Sequence, residues 1–397
     1  MPAIRASELR RRSECEGHAK TFTHLCEALE SGDLKPADFS IRDLAINLIE
    51  DGAEFVQACG PQKSGRLDLL EAGMAVNTAQ FAQITGQIVY TKMLEEFHDR
   101  AFVFSDLIPT QQTTLNGERI PGIGGIGDMA TAVGEGEPFP LAGLSQDYID
   151  TPQTVKRGLI VPVTKEAIFF DRTGLVLKRA GEVGYWLGLN KEKRAIDCVV
   201  DENVTTHRYR WRDTTIATYN DNTGTHTWDN LSASTALEDW TDIDAAEQLL
   251  ANMLDPNTGE PILMEADTII YTPQLAATVH YILYATGMSR QIGGFATSGN
   301  LSRTDAPNLV TAAREFSANY MPVTSRLLPT RMATDTTWYL GSPKRAFAYM
   351  ENWPLTVKQA PPNLTAEFER DIVAQFRADE RGAYATLEPR LMVKCTA

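Results

Sequence analysis

The chain is short of the residue types and spacings that most enzyme chemistry needs. Its six histidines, His18, His24, His98, His207, His226 and His280, are dispersed, and no H-E-x-x-H, G-x-S-x-G or G-x-x-x-x-G-K-[ST] occurs. That removes the frames of a zinc protease, a serine hydrolase and a P-loop nucleotidase. Five cysteines, Cys15, Cys26, Cys59, Cys198 and Cys395, are odd in number, scattered and without a C-x-x-C pair. They point to reduced thiols rather than a disulfide framework or a zinc site. No run approaches 18 apolar residues, and Arg10-Arg11-Arg12 has no apolar stretch behind it, so neither a membrane span nor a signal peptide is expected. Positive charge is also scarce. Lys plus Arg number 37 against 52 Asp plus Glu, a net charge of −15 that disfavours generic binding to nucleic acid or anionic membranes.

Three partial motifs are weighed against bland readings. Gly122-Ile-Gly124-Gly-Ile-Gly127 spells G-x-G-x-x-G, but Gly134, Gly136, Pro138 and Pro140 follow where the dinucleotide mechanism needs a helix N-terminus, so a loop is expected and no cofactor. Glu95 and His98 form a single E-x-x-H, whereas a di-iron bundle needs a second such pair and two more glutamates. No metal is assigned. The adjacent carboxylates Asp201-Glu202 and Asp379-Glu380 read as solvated, the second pair in a turn. No catalytic residue emerges, and the chain is read as a non-enzyme.

What is present is clearest at the C-terminal end. Ile372, Ala374, Phe376 and Ala378 alternate with Asp371, Gln375 and Arg377, the two-residue period of a half-buried strand. Asp379 to Gly382 supply turn chemistry, and Ala383, Ala385 and Leu387 resume the alternation, so the stretch predicts a hairpin. Pro389 closes it, Leu391, Val393 and Cys395 make a last short strand, and Leu355 with Val357 predicts a strand feeding the same sheet.

At 397 residues, two or three domains each burying a core are expected upstream of that end. Residues 1 to about 70 form a charged, helix-rich leader, and Asp68 to Arg100 predicts one long amphipathic helix or two shorter ones through Met74, Phe81, Ile84, Ile88, Met93 and Phe97. Leu159, Val161 and Val163 share one face of an extended limb, and 164–171 enters a short helix. Thr173 to Glu202 predicts a long helix on Val176, Ala180, Val183 and Leu187. Gly181, Gly184 and Gly188 within it cost about 1 kcal/mol each relative to Ala unless another backbone packs closely there. His207 to Arg212 interleaves cations with aromatics, which suits the exposed face of a hairpin better than a nucleic-acid stack in so acidic a chain. Thr241 to Leu254 predicts a helix capped by Thr241 or Asp242, Thr268 to Tyr271 a buried strand, and Gln274 to Tyr284 a second helix.

The text Phe368-Glu-Arg-Asp-Ile-Val-Ala-Gln-Phe-Arg377, then Gly382-Ala-Tyr-Ala and Pro389-Arg390, together with Val133-Gly-Glu-Gly-Glu-Pro138 upstream, resembles the major capsid proteins of tailed phages. The order of elements over residues 70 to 397 follows the same family. The resemblance implies an α+β, Hong Kong 97-type capsid fold with an N-terminal arm, an extended E-loop hairpin, a spine helix, a P domain and an A domain. Its implied boundaries are a leader at 1–69, removed by a protease or retained as an arm, an N-arm at 70–115 and an E-loop region at 116–170. The P domain follows at 171–237, with an inserted hairpin, the A domain at 238–352, P-domain strands at 353–388 and a strand returning to the A domain at 389–397. The implied function is a shell of hexamers and pentamers around double-stranded DNA, bound without sequence specificity, in a virion assembled in the host cytoplasm. Partners would be further copies, a portal and, where used, scaffold or cement proteins, with no membrane. Glu135, Phe139, Tyr148, Lys156, Arg157, Arg377 and Arg381 are the implied inter-subunit contacts. The lysine–asparagine crosslink of some relatives is not expected, because the strands from Asp371 to Leu387 hold no Asn. Two other readings stay open: an encapsulin-like compartment, disfavoured by the long leader, and a nicotinamide-dependent enzyme using Gly122 to Gly127.

Overall fold

The computed structural model describes residues 85–121, 148–170, 173–202, 209–211, 213–220, 228–255, 259–284, 288–291, 303–306, 320–360 and 372–396, with residues 40, 42, 46, 53, 56 and 133 singly. In chain order the elements are helix α1 (85–97), α2 (Val103–Leu107), β1 (Thr110–Gln112), β2 (Arg119–Pro121), β3 (Tyr148–Asp150) and β4 (Val155–Thr164). Then come α3 (Lys165–Phe169), α4 (Thr173–Val200), β5 (Tyr209–Trp211), β6 (Thr214–Ile216), β7 (Leu231–Ser232), α5 (Trp240–Ala251), β8 (Thr268–Tyr271) and α6 (Ala276–Tyr284). The last are β9 (Met288–Gln291), β10 (Arg303–Ala306), β11 (Met321–Val323), β12 (Trp338–Gly341), α7 (Pro343–Ala346), β13 (Phe347–Gln359), β14 (Ile372–Thr386) and β15 (Met392–Cys395). Helices and mixed sheets coexist, so the α+β class is observed directly. The sheet orders are β1-β13-β14-β4, β2-β3-β5-β6 and β11-β8-β12-β15-β7, with β9 and β10 paired separately.

Two compact units divide the chain, each made of three separated stretches. The first takes 1–100, 155–191 and 353–381. Its core gathers Ile88, Val89, Met93 and Phe97 of α1, Val161 and Val163 of β4, Val176, Leu177, Ala180 and Leu187 of α4, Leu355 of β13, and Ala374, Phe376 and Ala378 of β14. The period-four face of α4 and the period-two face of β14 are thus buried as their spacing predicts. The leader contributes as well, for Val56 lies in this core and Ile46 packs against it. Gly184 shows why α4 tolerates glycine. A Cβ there would stand 2.9 Å from the carbonyl carbon and Cα of Met93 and nearer still to its oxygen, so two helix backbones meet at that point.

The second unit takes 101–154, 192–352 and 382–397. In its main sheet, β12 pairs antiparallel with both β8 and β15, Leu340 standing opposite Ile269 and Val393. β11 adds in parallel to β8 and β7 to β15. One face of that sheet packs on α5 and α6 through Ile243, Ala246, Leu250, Val279 and Ile282, and the other joins the C-terminal half of α4 through Ala195, Ile196 and Val199. Glu192 of α4, fully buried, accepts the Phe104 and Ser105 amides at 2.9 and 2.8 Å and the Ser105 hydroxyl at 2.9 Å. It caps α2, whose own N-cap residue Phe102 supplies no side-chain bond. Burial holds the Glu192 carboxyl above the usual glutamate range despite these donors.

Several expectations are corrected. Asp379 to Gly382 do not turn. β14 runs through them as one 15-residue strand. Gly382 serves a close approach instead, since a Cβ there would stand 2.8 Å from the Met350 carbonyl oxygen and closer to the Tyr349 ring. Asp379 and Glu380 are buried rather than solvated. Asp201 accepts the Thr218 amide at 3.1 Å and Glu202 takes Lys394 at 3.0 Å, so that pair is also engaged. The cap of α5 is Asp239, which accepts the Thr241 amide while Asp242 accepts the Asp239 amide in a capping box. Glu95 of the E-x-x-H pair is bound by Lys92 at 2.8 Å, and His98 packs edge-on against Phe97. Gly122 to Gly127 lie outside the described residues. Among the described residues no helix is long and apolar enough to cross a membrane.

Candidate assembly surface

β4 changes character along its length. Its inner half sends Val161 and Val163, each 1% exposed, into the core of the first unit. Its outer half leaves Val155, Leu159 and Ile160 at 50, 44 and 57% exposure. The sequence placed Leu159, Val161 and Val163 on one face of the limb, and along that face the core covers the last two and leaves Leu159 exposed. β4 is also the last strand in its sheet among the described residues. A long apolar edge strand left open invites pairing with another chain.

Charge is arranged around one buried acid. Asp379, 2% exposed, receives the Lys156 ammonium and the Arg377 guanidinium, each at 3.2 Å, while both cations remain nearly half exposed. A carboxylate in a sheet interior is tolerated when paired in this way, and its removal would leave two cations facing outward. Gly158 lets β4 lie against β14 here, since a Cβ would stand 2.5 Å from the Ala378 carbonyl oxygen. Arg157 bends back toward the Val155 carbonyl at 3.4 Å. The Arg381 guanidinium sits 5.4 Å above the Trp353 ring. Lys156 and Arg377 are therefore brought together, and Asp379, which joins them, was missed because its letters read as a turn.

Tyr148 belongs to the second unit, in the small sheet that joins β2 and β3 to the β5–β6 hairpin. Its hydroxyl donates to Asp213 Oδ2 at 2.7 Å, and Arg119 lies over its ring at 4.5 Å. Arg119 also bonds Asp150 Oδ1 through Nε and Asp213 Oδ1 through Nη2, each at 3.0 Å. The two aspartates hold the Arg119 guanidinium above its ordinary pKa, and the Asp213 bond holds the Tyr148 phenol up. Asp213 has φ +64° in a two-residue hairpin loop, a conformation that Asp tolerates better than most residues. Glu135 and Phe139 lie outside the described residues.

The buried thiols are inert by environment. Burial pushes Cys395 up to about 12 and raises Cys198 likewise.

The sequence model of the family described as phage capsid protein matches residues 148–395, well over half the chain. The chain belongs to the phage capsid protein family. As a capsid protein it is a structural component of the virion that self-assembles into the capsid shell. No curated protein matches it. Among solved structures, the virus-like particle from Pyrococcus furiosus is 12% identical, with 77% of this chain and 97% of that one covered and a TM-score of 0.41. Gordonia phage Cozz gives 13%, 74 and 85%, and 0.40, and the Cyanophage Pam1 capsid gives 11%, 75 and 93%, and 0.42. At these TM-scores no residue role is carried over to the capsid protein.

Proposed function

We propose that the capsid protein is the major subunit of an icosahedral, Hong Kong 97-type shell, closing as hexamers and pentamers around double-stranded DNA. The observation that carries this reading is the outer half of β4, the last strand of its sheet among the described residues, with three exposed apolar residues that a neighbouring copy would cover. In this reading β4 is the return limb of the E-loop, α4 the spine helix, and β13 with β14 the P-domain strands. Lys156, Arg157, Arg377 and Arg381 then face neighbouring copies, and Tyr148 stands at the E-loop root. Many modest heterologous contacts add up to a closed shell without covalent chemistry. With a net charge of −15, the protein would hold DNA by enclosure rather than by adhesion. Assembly in the host cytoplasm, a portal and a scaffold or cement protein complete the proposal.

The test is to express the chain, alone and with Leu159→Asp and Ile160→Asp, and image the products by negative-stain electron microscopy. Shells, tubes or six-fold rings from the parent and folded, unassembled subunits from the variants are expected. Normal shells from both variants would overturn the assignment of this edge. Nucleic-acid absorbance of particles made in infected cells separates a DNA container from an enzyme-holding compartment.

A further inference from the structure

The β5–β6 hairpin is an insertion in the resemblance, with no role assigned to it there. The structure places it under the point where the chain leaves β2 and returns through β3. Pro121 pairs with Tyr148 and Arg119 with Asp150, so the segment between Pro121 and Tyr148 begins and ends on adjacent strands. Ile149 of β3 then pairs with Trp211 of β5. From below, Ile149, Tyr209, Ile216 and Trp228 are all buried in the same core as Ile243 and Leu340. From above, Asp213 receives both Arg119 of β2 and Tyr148 of β3. One carboxylate on the hairpin tip thus holds both strands of the root.

We infer that the β5–β6 hairpin is a brace, and that Asp213 is the positioning residue by which it fixes the root of the 122–147 segment. Its importance to the shell rests on the proposed E-loop reading. The bracing itself does not. Two-stranded ribbons are marginal alone, and β2–β3 is three residues long on each side, so an external hold is needed to keep its direction. The part of the hold that Asp213 supplies consists of exposed ionic and cation–π contacts, which salt weakens. The left-handed φ of Asp213 decides which variants are informative. Asn and Gly both accept that backbone, so Asp213→Asn removes the charge and Asp213→Gly removes the side chain without adding strain.

The experiment is hydrogen–deuterium exchange on unassembled subunits, comparing the parent with Asp213→Asn, Asp213→Gly and Arg119→Ala. Amide exchange at Ile120 and Ile149 should rise roughly two- to fivefold in each variant, the scale of losing exposed ion pairs. Exchange in β8 and β12 should stay as in the parent, showing that the unit remains folded. High salt should reproduce the rise in the parent and add little to Arg119→Ala. Unchanged exchange at Ile149 in Asp213→Gly would overturn the brace, as would a rise spread equally over β8 and β12. Electron microscopy of the same preparations is read separately. A parent that forms no shells even when a scaffold protein is co-expressed would refute the capsid-shell reading and leave the exchange result standing.

Discussion

The three glycines of α4 that the structure resolves by environment make a graded test of its packing. Each gains helix propensity on conversion to Ala, up to about 1 kcal/mol. At Gly174 nothing lies within 4 Å of the added methyl, so the gain is kept. At Gly181 the nearest atom is the Glu96 Cγ at 3.3 Å, part of a flexible side chain that shifts readily, and the change should be near neutral. At Gly184 the methyl would meet the Met93 backbone at 2.9 Å or less, where carbon atoms prefer about 3.5–4.0 Å. Backbone does not rotate aside as a side chain does, so α1 and α4 must part. Overpacking of this kind costs about 1–3 kcal/mol. Taking the upper end and subtracting the propensity gain leaves Gly184→Ala destabilised by about 2 kcal/mol. At about 2–4 °C per kcal/mol the midpoint should fall by about 4–8 °C. Thermal unfolding of unassembled subunits, followed by near-ultraviolet circular dichroism, should rank Gly174→Ala highest, the parent and Gly181→Ala together, and Gly184→Ala lowest. A Gly184→Ala protein as stable as Gly174→Ala would refute the close crossing of α1 and α4.

Glu192→Ala should cost about 2–4 kcal/mol by stranding two buried amides and a hydroxyl, and Glu192→Gln clearly less, as measured by urea denaturation. The Glu192 pKa is raised in the folded state, so its folded form takes up the proton first. Its contribution is greatest below the ordinary value of 4.5, falls as pH rises through the window above it, and should be absent from the slope of Glu192→Gln. Phe376→Asp buries a charge at a fully enclosed site of β14 and should abolish both folding and shells, so soluble, normal particles would show the wrong face. Glu388→Gln leaves the buried Arg390 without its carboxylate and should cost about 3–5 kcal/mol by urea denaturation. A thiol reagent with peptide mapping should leave Cys198 and Cys395 unlabelled in the native protein and label both in denaturant.

The strong periodicities carried from sequence to structure. Val176, Ala180 and Leu187 on α4 and Ala374, Phe376 and Ala378 on β14 are where their spacing puts them, because one apolar face fixes one orientation. The failures share a different cause. Asp379-Glu380-Arg381-Gly382 has turn composition, and its neighbours Lys156 and the Tyr349 ring, distant in sequence, are part of what makes those letters a strand. The shared face of Leu159, Val161 and Val163 was legible, but how far along it the core reaches was not, since that depends on α4 and β14. Asp239 outcompeted Thr241 and Asp242 as a cap because a capping box needs its acid three residues on. The Arg119–Asp150–Asp213 cluster joins three stretches across about 90 residues of chain. Asp213 between two short β-prone runs was its one legible sign.

The division of the chain into interleaved stretches also sets when it can fold. Neither unit is complete before residues beyond 352 have been made, because 353–381 closes the first and 382–397 closes the second. Those residues bring Phe376, Leu391, Met392 and Val393, all fully enclosed in the finished cores. On the ribosome, then, a chain of some 350 residues must wait with the partners of these side chains uncovered, a state prone to non-native association. Termination before residue 353 would yield two unfinished cores rather than one sound unit and one missing. Quality control is thereby built into chain order, for a fragment that lacks its end also lacks the folded surface with which to enter, and poison, a growing shell.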